Sequence, residues 1–251
     1  MSERLLDGQS VLVTGANRGI GWATCTVLAR NGANVWAGTR SLDDDWIGKL
    51  VTLAGDNDVA VDPIHLDVTD SALIKEAFAV IKGSGRPLSG LVNNAGVTFN
   101  GILQMTKVSD ARAVMETNFF GTMQMMQGAV RLMQRQREGS IVNVSSTAAI
   151  DGNSGRSVYG ASKAAVSTLT KTAAREWGPY GIRVNAVAPG MTDTDMLASM
   201  TDEVLAEVEG TTDLRRRGRP EEIAEAISFL VSPLSSYVSG QVLRVDGGMW
   251  V

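Results

Sequence analysis

The 251-residue chain carries one cysteine, Cys25, and one histidine, His65. A lone cysteine excludes an internal disulfide, and a lone histidine leaves no Cys/His metal site, so no metal is expected. His65 falls at the end of a strand-like run and reads as a packed or surface residue, not as a base. Long apolar runs are also missing. No stretch approaches about 18 uncharged apolar residues, the length a membrane span needs. The N-terminal MSERLLDGQS is polar and lacks the apolar core of a signal peptide. The expectation is a cytoplasmic protein without a membrane partner. Net charge is −4 with no long basic run, and the cluster Arg215 to Arg219 stands alone. The electrostatic footprint of a nucleic-acid binder is therefore absent. Chemistry must come from Tyr, Ser, Lys, Asn or a bound cofactor.

What is present suits a single globular domain over residues 1–251: hydrophobic residues make up 44%, charged residues 20%, and mean hydropathy is +0.02. Short apolar runs alternate with helical periodicities. Ser10 to Val13 enters TGANRGIG at Thr14 to Gly21, and a helix pattern follows to Asn31 with Gly32 as its stop. Strand, glycine turn and helix N-terminus together make a pyrophosphate site, because glycines admit close approach and free N–H groups face the anion. The alternative for such glycines is a packing turn. After the second strand pattern, Asn34 to Gly38, stands Thr39-Arg40-Ser41. An acidic residue there would bind the 2′-hydroxyl of NAD, whereas an arginine suits the 2′-phosphate of NADP. Arg40, with Arg18 from the glycine loop, points to NADPH. Two solvated surface arginines are the bland alternative.

Val59 to Leu66 reads as a third strand leading to Asp67-Val68, where the carboxylate can take an adenine amino group. Asp70 and Ser71 already offer caps for the helix Ala72 to Lys82. Leu91-Val92 runs into Asn93-Asn94-Ala95-Gly96, whose small residues let a cofactor lie against the backbone while an Asn amide ties strands together. Val108 to Arg137 is a long helical pattern interrupted around Asn118 to Gly121. Its methionines read as core or interface packing. Asn118 is a poor helix former and needs polar partners if buried.

The strand Ile141 to Val144 ends in Ser145 and Ser146, at the sheet edge where ligands bind in open α/β folds. The polar loop Asp151 to Ser157 follows, then VYGASKAA at Val158 to Ala165. In a helix Tyr159 and Lys163 share a face one turn apart. A nearby ammonium favours the phenolate, so Tyr159 is expected to exchange protons well below its ordinary pKa of about 10. Arg183 to Ala188 is a sixth strand, ending in Pro189-Gly190. Residues 191–218, with a short helix around Glu203 to Glu209, read as a substrate lid, and Arg215-Arg216-Arg217 as a surface cluster that an anionic substrate could also use. Pro220 to Leu230 is a helix and Gln241 to Val245 the last strand. The alternation predicts an α/β fold of Rossmann type, a doubly wound parallel sheet of about seven strands with helices on both faces.

These motifs in this order, TGANRGIG, NNAG, Asn118, Ser146, YGASK, Pro189-Gly190 and VDGG, resemble the short-chain dehydrogenase/reductase family from end to end. The chain is most similar there to 3-oxoacyl-(acyl carrier protein) reductases and related ketoreductases. The resemblance implies an NADPH-dependent carbonyl reductase with Tyr159 as proton donor, Ser146 orienting the carbonyl, Lys163 holding the nicotinamide ribose and lowering the Tyr159 pKa, and Asn118 anchoring a water that resupplies protons. It implies cofactor contacts from Gly15, Asn17, Arg18, Gly19, Ile20, Gly21, Thr39, Arg40, Asp67, Val68, Asn94, Ala95, Gly96, Tyr159, Lys163, Pro189, Gly190, Thr192 and Thr194. The substrate it implies is a ketone or acyl thioester, the thioester delivered by acyl carrier protein, and the assembly is a homotetramer through the helices of Asn118 and Tyr159. Arg137 matches one carrier-binding arginine near the active-site mouth; Tyr180 stands where a second is expected. Two rivals share the residues: a secondary-alcohol or sugar-alcohol dehydrogenase, and a non-catalytic NADP-binding regulator.

Overall fold

The computed structural model describes residues 4–195 and 201–250. Seven parallel strands form one sheet in the order β3-β2-β1-β4-β5-β6-β7. They are β1 (Ser10–Thr14), β2 (Asn34–Thr39), β3 (Val61–His65), β4 (Gly90–Asn93), β5 (Gly139–Val144), β6 (Ile182–Pro189) and β7 (Val242–Val245). Strand order reverses between β1 and β4, and the crevice at the carboxyl ends of strands on either side of such a reversal is where ligands bind. Parallel strands need crossovers on both faces, so both faces are buried and the strands read as continuous apolar runs. Along β1, Val11 and Val13 face a core that includes Leu28, Ile223 and Ile227, while Leu12 faces the opposite core with Leu91, Met125 and Ile141. Pro63 fits in β3 because β3 is an edge strand with β2 as its single neighbour.

Eight α-helices cover the sheet among the described residues: α1 (Gly19–Arg30), α2 (Asp44–Asn57), α3 (Ser71–Gly83), α4 (Val108–Met115), α5 (Thr122–Gln136), α6 (Ser157–Trp177), α7 (Asp202–Gly210) and α8 (Pro220–Val231). Asp43 caps α2 by accepting from the Trp46 amide at 2.9 Å, and Asp70 caps α3 through the amides of Ala72 and Leu73; such caps contribute about 1 kcal/mol each. The interruption foreseen at Asn118 to Gly121 is a π-helical turn, Glu116–Gly121, that joins α4 to α5 without breaking the helical path. Met125, Met126 and Met133 are core residues, as their helical spacing suggested. No helix among the described residues is long and apolar enough to cross a membrane. Of the segment expected to act as a lid, residues 196–200 lie outside the described residues. So do Met1 to Glu3 of the N-terminal stretch.

Candidate active site

The glycine loop follows from where β1 must go. Gly15 and Gly19 adopt left-handed φ of 65° and 53°, turning the chain from the sheet into α1. A Cβ on Gly21 would collide with the Gly15 carbonyl oxygen and lie 2.6 Å from Asn94 Nδ2. Helix α1 starts without a side-chain cap and without acidic residues in its first turn, so its N–H groups are left for an anion. Asn94 holds the loop in place: its Nδ2 donates to the carbonyls of Thr14 and Gly15 at 3.0 Å each. Thr14 Oγ1 in return accepts from the amides of Asn94 and Ala95 at 3.0 and 2.9 Å. One strand over, Asn93 donates to Asn143 at 2.8 Å, tying β4 to β5. The backbone that a dinucleotide would touch is thereby fixed before anything binds.

Beyond β2, Thr39 is buried and Arg40 is exposed at the rim of the cleft. Burial raises the Asp67 carboxyl, but the Thr69 amide and hydroxyl, with Arg40 and His65 nearby, outweigh it and hold the acid below its ordinary value. Arg18 pairs with Asp195 at 3.5 Å, both side chains 72% exposed. A pair that open contributes at most about 1 kcal/mol, so Arg18 remains available to a phosphate.

At the carboxyl end of β5 the two serines part. Ser145 faces inward, its hydroxyl donating to the Lys163 carbonyl at 3.1 Å and sharing a 2.7 Å hydrogen bond with Ser167. Ser146 faces the cleft and interacts with the Tyr159 phenol. Tyr159 is 8% exposed and borders the cleft. Lys163 is 4% exposed, donates to the Val144 carbonyl at 2.7 Å, and has its pKa pushed down to about 8 by burial. Asn118 is fully buried. Its amide group is spent on both backbone groups of Val97, at 2.8 and 2.9 Å, and on the Ser162 hydroxyl at 2.9 Å.

The electrostatics differ from the sequence expectation in one respect. Burial raises the Tyr159 pKa; the Ser146 hydrogen bond and Arg156 oppose it, and Lys163 is not among the opposing groups. The Lys163 ammonium lies 6.0 Å from the phenol ring centroid with its hydrogen bond directed at Val144. The Arg156 guanidinium stands 5.9 Å from the same ring. Arg156 was not singled out by the sequence, although its position three residues before Tyr159, at the start of the same helix, is a usable signal.

Glycine loop, β4 end, β5 end, α6 and the segment after β6 enclose one cleft of about 1270 Å³. It exceeds the roughly 300–1,000 Å³ of drug-sized ligand sites, leaving room for a dinucleotide and a second molecule. Every expected cofactor contact borders it except Gly21, which packs α1 against the loop. Asn118 lies behind the wall: a Cβ on Gly96 would meet Asn118 Oδ1 at 3.2 Å and Lys163 Nζ at 3.3 Å. Met249 also borders the cleft and was not foreseen. The positions matched to carrier contacts lie apart from this chain's own cleft. Arg137 ends α5 and donates to the Pro179 carbonyl at 3.0 Å, just before β5 and β6 begin, so it and Tyr180 lie at the amino edge of the sheet. The cleft is at the carboxyl edge, because helices here run antiparallel to the strands they follow. In the basic cluster, Arg216 is paired with Glu222 and Arg217 with Asp193 and Glu209, and none of Arg215, Arg216 and Arg217 borders the cleft.

Residues 15–250 match the family described as "Enoyl-(Acyl carrier protein) reductase". The chain belongs to the short-chain dehydrogenase/reductase family. Similar relatives include the 3-oxoacyl-[acyl-carrier-protein] reductases FabG of Thermotoga maritima, 44% identical over 97% of this chain and 98% of that protein, and of Vibrio cholerae, 37% identical over 98% and 99%. Among solved structures, a putative gluconate dehydrogenase from Agrobacterium tumefaciens superposes with a TM-score of 0.93 at 32% identity, covering 99% of this chain and 98% of that one. A 3-oxoacyl-[acyl-carrier protein] reductase from Brucella melitensis does so at 0.90 and 33%, covering 99% and 94%. Members of the family are nicotinamide-dependent oxidoreductases, and the left-handed glycines, the uncapped α1 terminus and the size of the cleft fit such a cofactor here.

Proposed function

We propose that this chain is an NADPH-dependent carbonyl reductase acting on 3-oxoacyl thioesters or closely related ketones. The observation that carries the reading is the meeting of the Ser146 hydroxyl and the Tyr159 phenol on the wall of a cleft whose other end is a glycine cradle rimmed by Arg40. Two hydroxyls on one spot suit an oxygen that turns from carbonyl to alkoxide, since donors already aimed there stabilise charge as it develops.

NADPH, when bound, supplies the hydride. Arg40, Thr39 and Arg18 hold the 2′-phosphate, the α1 terminus holds the pyrophosphate, and Asp67 takes the adenine amino group. Ser146 orients the substrate carbonyl and Tyr159 gives its proton to the carbonyl oxygen. A phenol raised by burial stays protonated at neutral pH, which is the form a proton donor must be in. Lys163, aimed by the Val144 carbonyl, holds the ribose and passes a proton back toward Tyr159. Asn118 acts by bracing the Val97 backbone against α6 through Ser162. Met191, Thr192 and Thr194 after β6 border the cleft, and exposed Val108 and Phe120 on the α4–α5 arm offer apolar contact for a homotetramer.

The test is NADPH oxidation against a panel of 3-oxoacyl thioesters, free and carrier-linked, β-keto esters and simple ketones. Saturable turnover of a 3-oxoacyl thioester is expected; turnover of none of them overturns the reading. The 0.93 superposition on a putative gluconate dehydrogenase favours a second reading, oxidation of a polyol or sugar acid by the same residues, which NADP+ reduction with such alcohols tests.

A further inference from the structure

The cleft is bordered by four cationic side chains among the described residues, and three are occupied by roles already given: Arg18 beside Asp195, Arg40 at the adenosine end, and Lys163 on the Val144 carbonyl. The fourth is Arg156. Among the described residues no carboxylate pairs with its guanidinium and no carbonyl accepts from it, whereas Arg4, Arg30, Arg86, Arg216, Arg217 and Arg244 all have acidic partners. It projects over the Tyr159 ring. Around it the substrate end of the cleft is lined by neutral groups such as Ile102, Ala148, Asn153, Met191 and Met249. The two acids bordering the cleft, Asp67 and Asp195, belong to the adenosine end and to Arg18. An uncompensated guanidinium in a mostly apolar recess favours an anion there.

The loop that carries Arg156 is pinned at both ends. Arg244 makes a two-pronged bond to Asp151, at 2.9 and 2.8 Å, and binds Asp246 at 2.7 Å and the Met249 carbonyl at 2.8 Å. At the other end the Gly101 amide donates to the Gly155 carbonyl at 2.8 Å, and the Arg156 carbonyl accepts from Gly160 at 2.8 Å inside α6. The same C-terminal segment bonds to residues 213 and 214 after α7 through the amides of Asp213 and Leu214. The guanidinium is thus delivered from a preorganised backbone, which lowers the ordering cost of binding.

We propose that Arg156 forms an anion subsite beside Tyr159, so that among free ketones those bearing a carboxylate within a few bonds of the carbonyl are preferred to their uncharged esters. This rests on the carbonyl-reductase reading and selects among its substrates. Acetoacetate and ethyl acetoacetate present the same ketone with and without the charge. The measured quantity is the ratio of their kcat/KM values with NADPH, in which any shared effect of the variant on Tyr159 or on folding cancels. In Arg156→Gln the ratio of acetoacetate to ethyl acetoacetate should fall about tenfold or more, and Arg156→Lys should restore part of it. An unchanged ratio overturns the proposal. Calorimetric titration of acetoacetate into the protein with NADP+ reads the subsite without turnover: binding should weaken in Arg156→Gln, and equal binding by both proteins overturns it. If acetoacetate still binds through Arg156 while no thioester, keto ester or ketone of the panel is reduced, the subsite stands and the reductase reading fails.

Discussion

The Lys163 ammonium donates to the Val144 carbonyl oxygen at 2.7 Å, so the helix that carries Tyr159 is tied to the end of the strand that carries Ser146. The bond fixes the two hydroxyls relative to each other and aims the ammonium into the cleft wall. It also places a positive charge where water is scarce.

That placement has a cost that pH reveals. Burial lowers the Lys163 pKa from its ordinary 10.5 to about 8, so the native state sheds the proton near pH 8 while the unfolded chain keeps it to about 10.5. Stability therefore rises with pH across that window, and below it the buried charge costs about 3 kcal/mol. Lys163→Met should lose activity but unfold at equal or higher urea concentration at pH 7. Its advantage over the parent should shrink by pH 10. Denaturation midpoints at the two pH values measure this.

Tyr159→Phe removes the proton and little volume. Turnover should fall by at least about a hundredfold, while NADPH binding, followed by the quenching or enhancement of its fluorescence, stays within about threefold. Because burial raises the Tyr159 pKa, the parent enzyme should keep its reductive rate through neutral pH and lose it only on the alkaline side, where the donor deprotonates. An acidic limb attributable to Tyr159 would contradict this.

Arg40→Asp replaces a phosphate partner with a carboxylate suited to a free ribose hydroxyl. The ratio of kcat/KM for NADPH over NADH should drop by roughly 10- to 100-fold, the range expected for a charge-assisted hydrogen bond. An unchanged ratio would remove Arg40 from the phosphate site.

Gly21→Ala tests the loop without touching a cofactor-facing atom. The added methyl collides with the Gly15 carbonyl and crowds Asn94 Nδ2, so the Asn94 stitch must open. A loss of about 1–3 kcal/mol in urea unfolding is expected, with weakened NADPH binding. Gly48→Ala, where a Cβ meets open space on α2, should be neutral or slightly stabilising.

Much of this was legible in the chain itself. Apolar runs alternating with helical periods require a parallel sheet covered on both faces, and the glycine loop, Arg40 and the Tyr159–Lys163 spacing are local facts that survive folding unchanged. The cap at Asp70 and the starts and stops of strands fell within a residue or two for the same reason. Tertiary structure decided the rest. It separated Ser145 from Ser146, sent Arg137 to the far edge of the sheet, spent the Asn118 amide on Val97 and Ser162, and brought Arg244 onto Asp151 from 93 positions away. Sequence fixes which groups exist and their spacing along one element. Where a charge ends up, what pairs with it and how much water it keeps depend on residues distant in the chain, and those three things set the pKa of Lys163 and the freedom of Arg156.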